Sequence, residues 1–310
     1  MKKLFIAIFG LFTMTIAAQA QKKTSGAIQY ETTLDPAAAM SASGIPINEE
    51  MRARMPKSIK ANFELLFTAT NASYMPVVEN EDSNSGGGGG GMGRMMMRFA
   101  GGAGGAREYY YSFADQKLVE VFDVSDTTYV MQGKLAVANP PQMPNMGGGQ
   151  RQGGNNANAA APAQSAVQFA PGPPTLEVVK TEETKKILGF NCKKTIVKSI
   201  RKATVLGMEK DVIDETAIWH TNELGFNFSP NPNMWTEGTV LALENKGTSV
   251  TATGIEYRGV SSKDVTAPKK ALPITQEEYA KKMENMANRM RNMGNNRGGN
   301  SGQARSVIIN

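Results

Sequence analysis

Two stretches of this chain, residues 81–106 and 139–174, limit what the rest can fold into. Gly86 to Gly91 is an unbroken glycine run, and Gly101 to Gly105 is nearly another. Glycine loses the most conformational entropy on ordering, and these stretches have almost nothing to bury in return. The second stretch is rich in Pro, Gly, Asn and Ala. Both are expected to be disordered inserts, the first carrying an apolar island at Met95-Met96-Met97-Arg98-Phe99. What remains of the 310 residues is about one domain's worth of foldable chain. Cys192 is the only cysteine, so no intramolecular disulfide can form and stability must come from a packed core.

The first twenty residues look like an export signal. Lys2 and Lys3 precede an apolar run from Leu4 to Ile16, and Ala18-Gln19-Ala20 is a small-x-small cleavage site. The run is too short to cross a membrane, and no later segment is apolar enough to do so. A mature chain starting at Gln21 is expected, soluble in the periplasm or secreted. Position 21 is not cysteine, so the lipoprotein acceptor thiol is missing. Removing the signal lowers the formal charge of +6 by two. That mild, dispersed excess demands no polyanion, and an exported protein meets neither genome nor ATP pool.

Period-two alternation dominates the foldable parts. Residues 26–34 (GAIQYETTL) form a first strand, with Ile28 and Tyr30 on one face. Asn48 to Lys60 is expected as a short helix interrupted by Pro56, and Asn62 to Val78 as strand turning near Asn71. Tyr109, Tyr111 and Phe113 alternate in a strand that turns at Ala114-Asp115-Gln116. Leu118 to Phe122 and Thr127–Gln132, with a turn at Ser125-Asp126, complete a meander. Strand pattern persists from Leu176 to about Val260, and Asn245-Lys246-Gly247 is a hairpin signal. Thr275 with Glu278 makes a capping box, with Ile274 and Tyr279 at the staple positions. The helix that follows should end at Gly294, leaving residues 294–310 loose. The domain is thus 21–293.

The side chains that carry chemistry are few. His220 is the sole histidine, so a His-based zinc site cannot form, and a serine triad would have to use His220 as its base. Next to Trp219 on a strand, His220 should point away from the core face. Alternation puts Cys192, Ile196 and Ile200 on one face together with Lys194 and Lys198. Cys192 reads first as a partly buried free thiol; the alternative is a redox or intermolecular disulfide site whose thiol pKa those lysines depress. Lys185, Lys186, Lys193, Lys194, Lys198, Arg201 and Lys202 form a dense basic group, suited to a solvated face or an anionic surface. Aromatic residues are not interleaved with it, which argues against nucleic acid. The glycine runs lack the Lys-Ser/Thr of a phosphate loop. Asp115, Asp123 and Asp126 sit at turns, where aspartate is common.

Two phrases in the middle of the chain are distinctive. Lys186-Ile187-Leu188-Gly189-Phe190-Asn191-Cys192-Lys193-Lys194 is followed by Trp219-His220-Thr221. Together they resemble the GLPGLI family of secreted proteins, named for a Gly-Leu-Pro-Gly-Leu-Ile motif, and a related DUF4412-type group. The naming motif is replaced here by Trp235-Thr236-Glu237-Gly238-Thr239-Val240-Leu241. The resemblance transfers no catalytic residue. It implies a topology: a curved antiparallel sheet closed by helices, similar to the periplasmic lipoprotein-carrier half-barrel.

These features predict a mainly β protein, a curved antiparallel sheet with a C-terminal amphipathic helix. The expected function is non-enzymatic and needs no cofactor: binding of a lipid or other apolar ligand, or of a cell-envelope protein, on the concave face. Tyr109, Tyr111, Phe113 and Trp219 are the expected lining. The alternative is soft-metal binding by some of the 19 methionines. Met283, Met286 and Met290 recur at helical spacing, and thioethers favour Cu(I).

Overall fold

The computed structural model describes residues 24–42, 47–77, 107–139, 167–205 and 207–297. The expected signal segment, insert 81–106 and most of insert 139–174 lie outside the described residues.

Alternation is converted into strands almost as expected. β1 (Gly26–Leu34) buries Ile28, Tyr30, Thr32 and Leu34. β2 (Ile59–Phe67) and β3 (Asn71–Pro76) form the next hairpin. The meander is β4 (Glu108–Ser112), β5 (Lys117–Val124) and β6 (Thr127–Gly133). Its turns place Gln116 and Ser125 at positive φ. β7 (Val167–Phe169), β8 (Thr175–Ile187), β9 (Phe190–Val205) and β10 (Met208–Thr221) follow. β11 (Thr239–Asn245), β12 (Thr248–Glu256) and the two-residue β13 (Leu272–Pro273) complete the set. The distinctive Ile187-Leu188-Gly189-Phe190 phrase is a two-residue hairpin loop. Leu188 and Gly189 both have positive φ between paired Ile187 and Phe190, the backbone that matches strand twist.

All thirteen strands belong to one open sheet, ordered β13-β6-β5-β4-β3-β2-β1-β12-β11-β10-β9-β7, with β8 also on β9. Every neighbour is antiparallel except β13, which runs parallel to β6. Register breaks at Gln29/Tyr30, at Trp219/His220 and between Lys180 and Thr184 bend strands locally. The sheet curves enough that Phe228, just beyond β10, touches rings on β1, β3 and β4. β7 falls inside the stretch expected to be disordered; pairing with Ala203–Val205 supplies the order that its Gly- and Pro-rich surroundings lack.

β11 reaches only Ala217–Thr221 of β10. Beyond it, residues 208–216 pair with β9 alone, and β7 and β8 pair with β9's other edge. This gives a wing that projects past the main sheet.

Three helices are described. α1 is Pro36–Ala42 and α2 is Glu49–Arg54, the latter capped by the Asn48 side chain. α2 stops well short of the expected Lys60. Met55, preceding Pro56, is already extended, as the proline ring requires, and β2 begins at Ile59. α3 (Gln276–Arg297) starts on the expected box: the Glu278 amide donates to Thr275 Oγ1 at 3.2 Å, and the Thr275 amide donates to Glu278 Oε2 at 2.8 Å. It continues through Gly294, which the sequence marked as its end. Ile274, Tyr279 and Met283 pack with Phe122 and Met131 in one apolar seam. Met283 is buried in this seam and Met286 packs against it. The side chain of Met290 lies outside the described residues.

Candidate functional site

Register fixes which side chains share a face. Lys185 opposes Cys192, Lys194 opposes Trp219, and Ile196 opposes both Val179 and Ala217. The expected set of Cys192, Lys194, Ile196, Lys198 and Ile200 does share one face, the concave one.

At one end of that face the aromatic residues meet. Tyr111 and Phe113 project from the end of β4 towards the segment after β10. The Tyr111 ring lies 5.3 Å from Phe228, and Phe113 stacks on Phe226 at 5.0 Å. Tyr109 stacks on Tyr74 at 6.4 Å. Phe228 also touches Tyr30 and Tyr74, at 5.7 and 5.4 Å. Its backbone is tied down: the Phe228 amide donates to Gly238 O, and the Val240 amide donates to Phe228 O. The buried phenols find acceptors in the backbone. Tyr30 donates to Val240 O at 2.9 Å and Tyr111 to Ser229 O at 3.0 Å. Burial pushes Tyr30, Tyr74 and Tyr111 well above the ordinary phenol range, so they stay protonated.

Trp219 belongs to the same apolar cluster. Its indole N–H donates to Glu244 Oε2 at 3.2 Å, and the ammonium groups of Lys185 and Lys194 lie 5.1 and 5.6 Å from the ring. Tyr109, Tyr111, Phe113 and Trp219 thus all belong to or pack on one cluster, but Tyr111 and Phe113 meet the chain's own Phe228 and Phe226 there, Tyr109 meets Tyr74, and Trp219 meets Lys185, Lys194 and Glu244. Sequence reasoning passed over Phe226 and Phe228 because Gly225-Phe226-Asn227-Phe228-Ser229-Pro230 looks like a loop. The Phe-x-Phe alternation was the available signal.

Cys192 is fully buried beside Ile187. Burial pushes its thiol up to about 11, and Lys185 opposes that only weakly. Cys192 is thus a buried free thiol, the first reading of its position, and burial outweighs the lysines that the alternative relied on. The basic group is also largely offset. Lys185 pairs with Glu244, Lys194 with Glu183 and Lys198 with Glu215. Lys202 sits opposite Asp211, and the Arg201 guanidinium covers Phe169.

His220 points to the opposite face from Trp219, as expected, but it is only 2% exposed. Its Nε2 lies 3.2 Å from Thr195 Oγ1 and 3.8 Å from Glu237 Oε1, while Lys180 donates to the same Glu237 oxygen at 3.1 Å. His220 Nδ1 and Thr236 Oγ1 are buried without a partner. Burial holds the ring below the ordinary imidazole pKa, against the pull of Glu237. A nucleophile–base–acid relay needs hydroxyl and carboxylate on opposite ring nitrogens. Here both lie at Nε2, so this is not such a relay. Among the carboxylates singled out, Asp123 accepts from Thr128 at 2.6 Å. Asp123 and Asp126 border an open cleft of about 590 Å³ shared with Phe122 and Leu272. No group of three or more His, Cys, Asp or Glu side chains suited to a metal ion occurs among the described residues.

No family model and no curated protein matches this chain. Among solved structures, it is similar to PNGF-II in its C2 crystal form, with a TM-score of 0.42 and 12% identity over 85% of this chain. The P21 form of PNGF-II gives a TM-score of 0.42, 13% identity and 84% coverage. The chain spans about a third of PNGF-II, 33% of its length in both forms.

Proposed function

We propose that this is an exported, non-catalytic binding protein whose partner is a cell-envelope protein held along the wing. The observation that carries the reading is the contrast between the two ends of the concave face. At the aromatic end, Phe226 and Phe228 fill the space that a ligand would take. Along the wing, the same face continues with Val179, Ile196, Ala217, Ile200 and Ile213. Val179 and Ile213 there are 40 and 54% exposed. An acyl chain needs an enclosing groove, whereas a flat ribbon of apolar and charged rungs suits another protein.

The test is retention on washed envelopes of the source organism, with the full chain and with Val179→Asp and Ile213→Asp. Loss of retention by both variants, at unchanged melting temperature, is the expected result. Equal retention of wild type and variants sinks the proposal. A native mass showing an organic-extractable adduct would return the site to the aromatic end.

A further inference from the structure

A strap crosses the face opposite Trp219. Residues 231–238 lead from the Phe226–Phe228 segment into β11, and Met234 and Trp235 lie over Val197, Ile218, Val240 and Leu243. The strap is tied to the segment after β6 by three backbone bonds, from the amides of Ala136 and Ala138 to Pro232 O and Asn233 O and from the Trp235 amide to Ala136 O. At its end, the Glu237 carboxylate lies 3.8 Å from His220 Nε2.

The groups facing the His220 ring come from three elements. They are Glu237 of the strap, Lys180 of β8, and Lys193 and Thr195 of β9. Both acceptors, Thr195 Oγ1 and the Glu237 carboxylate, are at Nε2. That favours the tautomer with the proton on Nε2, leaving only a lone pair at Nδ1. A second proton must then sit on Nδ1, where nothing accepts it. A buried N–H without a partner is costly, and two ammonium groups oppose the added charge.

We propose that His220 is an acid-operated latch: protonation of its ring releases the 231–238 strap and uncovers the apolar patch beneath. The proton comes from solvent and no bond other than N–H is made. With the strap lifted, the ring meets water and titrates near the ordinary value of about 6.5. Above that pH the closed form keeps its full advantage. As pH falls below it, the open form takes up a proton before the closed form does. The open-to-closed ratio therefore rises about tenfold per pH unit until the closed ring's own, lower pKa is reached. The patch of Val197, Ile218, Val240 and Leu243 becomes available only in acid.

Because the chain has a single histidine, its ring resonances are unambiguous. The test follows them by NMR between pH 8 and pH 4.5. Over the same range, hydrogen exchange at the Met234 and Trp235 amides is followed, corrected for intrinsic rates. The expected result is that strap exchange accelerates about tenfold per unit, levelling off at the pH where the closed ring titrates. Protection between β1 and β12 stays constant, and His220→Gln removes the response. A strap whose protection does not change while the ring titrates overturns the proposal, as does the same acid response in His220→Gln. Should that variant fail to fold, the wild-type curves decide alone: levelling at the ring midpoint supports the latch, and a response displaced by more than about one unit refutes it.

Discussion

Phe228 offers the sharpest test of whether the concave face is a core or a site. It is fully buried and ringed by Tyr30, Tyr74 and Tyr111 at 5.7, 5.4 and 5.3 Å. Replacing it by alanine removes a whole aromatic side chain, a change that typically costs about 3–5 kcal/mol. The walls are poorly able to collapse into the gap, because Tyr30 and Tyr111 are anchored through their hydroxyls to Val240 O and Ser229 O. The loss should therefore lie near the upper end, about 4–5 kcal/mol, since the edge-on pair with Tyr111 adds about 0.5–1.5 kcal/mol beyond area burial. For a domain of this size that is a fall of roughly 8–20 °C in Tm. Urea unfolding followed by far-UV circular dichroism measures it directly, with an unchanged m-value as the control for a common denatured state. A loss under about 1.5 kcal/mol, together with tight binding of an apolar probe by Phe228→Ala, would refute the argument. The segment would then be a removable cover over a ligand site, and Tyr109, Tyr111 and Phe113 would return as its lining.

Three further outcomes are expected. At pH 8 the Cys192 thiol, pushed up to about 11 by burial, should react with iodoacetamide on the order of a hundredfold more slowly folded than unfolded; equal rates would place it at the surface. Arg107 pairs with Glu120 and lies 4.8 Å from the Phe122 ring and 5.3 Å from the Tyr279 ring. Arg107→Met should cost about 3–5 kcal/mol by stranding the carboxylate, and adding Glu120→Leu should recover most of it, both read by denaturant titration. Gly238 has φ of +62°, and a methyl there would meet Thr221 O at 2.5 Å. Gly238→Ala should lower stability by at least about 2 kcal/mol, and a neutral result in a thermal melt would contradict the geometry.

Where local chemistry decides an element, the sequence is a good guide. The alternation in β1, the turns of the meander and the Thr275–Glu278 box are set by neighbouring residues, and each forms as expected. Gly294 fails as a stop signal because a glycine only permits a helix to end and does not compel it. β7 is legible only through its partner, since three residues amid Gly and Pro acquire order from Ala203–Val205. The same holds for the candidate sites. Alternation correctly put His220 opposite Trp219, but its burial depends on a strap whose path no local pattern encodes. The concave placement of Tyr111 and Phe113 was foreseeable. The filling of that face by Phe226 and Phe228 was not, because it follows from how far thirteen strands curve. The offset of the basic group likewise needed the cross-strand register that sets Lys198 against Glu215.

β1 occupies the middle of the sheet, with β2 on one side and β12 on the other, so that Ile28 lies beside both Leu65 and Ile255. A ribosome makes the strand at the centre first and its second neighbour nearly last. Until β12 appears, the strands from β1 to β6 form a half-sheet whose inner edge is bare and whose best-buried residues face water. Assembly is therefore governed by a late, long-range pairing, which makes it slow and leaves an exposed edge during the wait. Such a chain gains most from a chaperone while it is being made. Truncation before Thr248 would leave a half-sheet prone to joining its own copies rather than a smaller working protein.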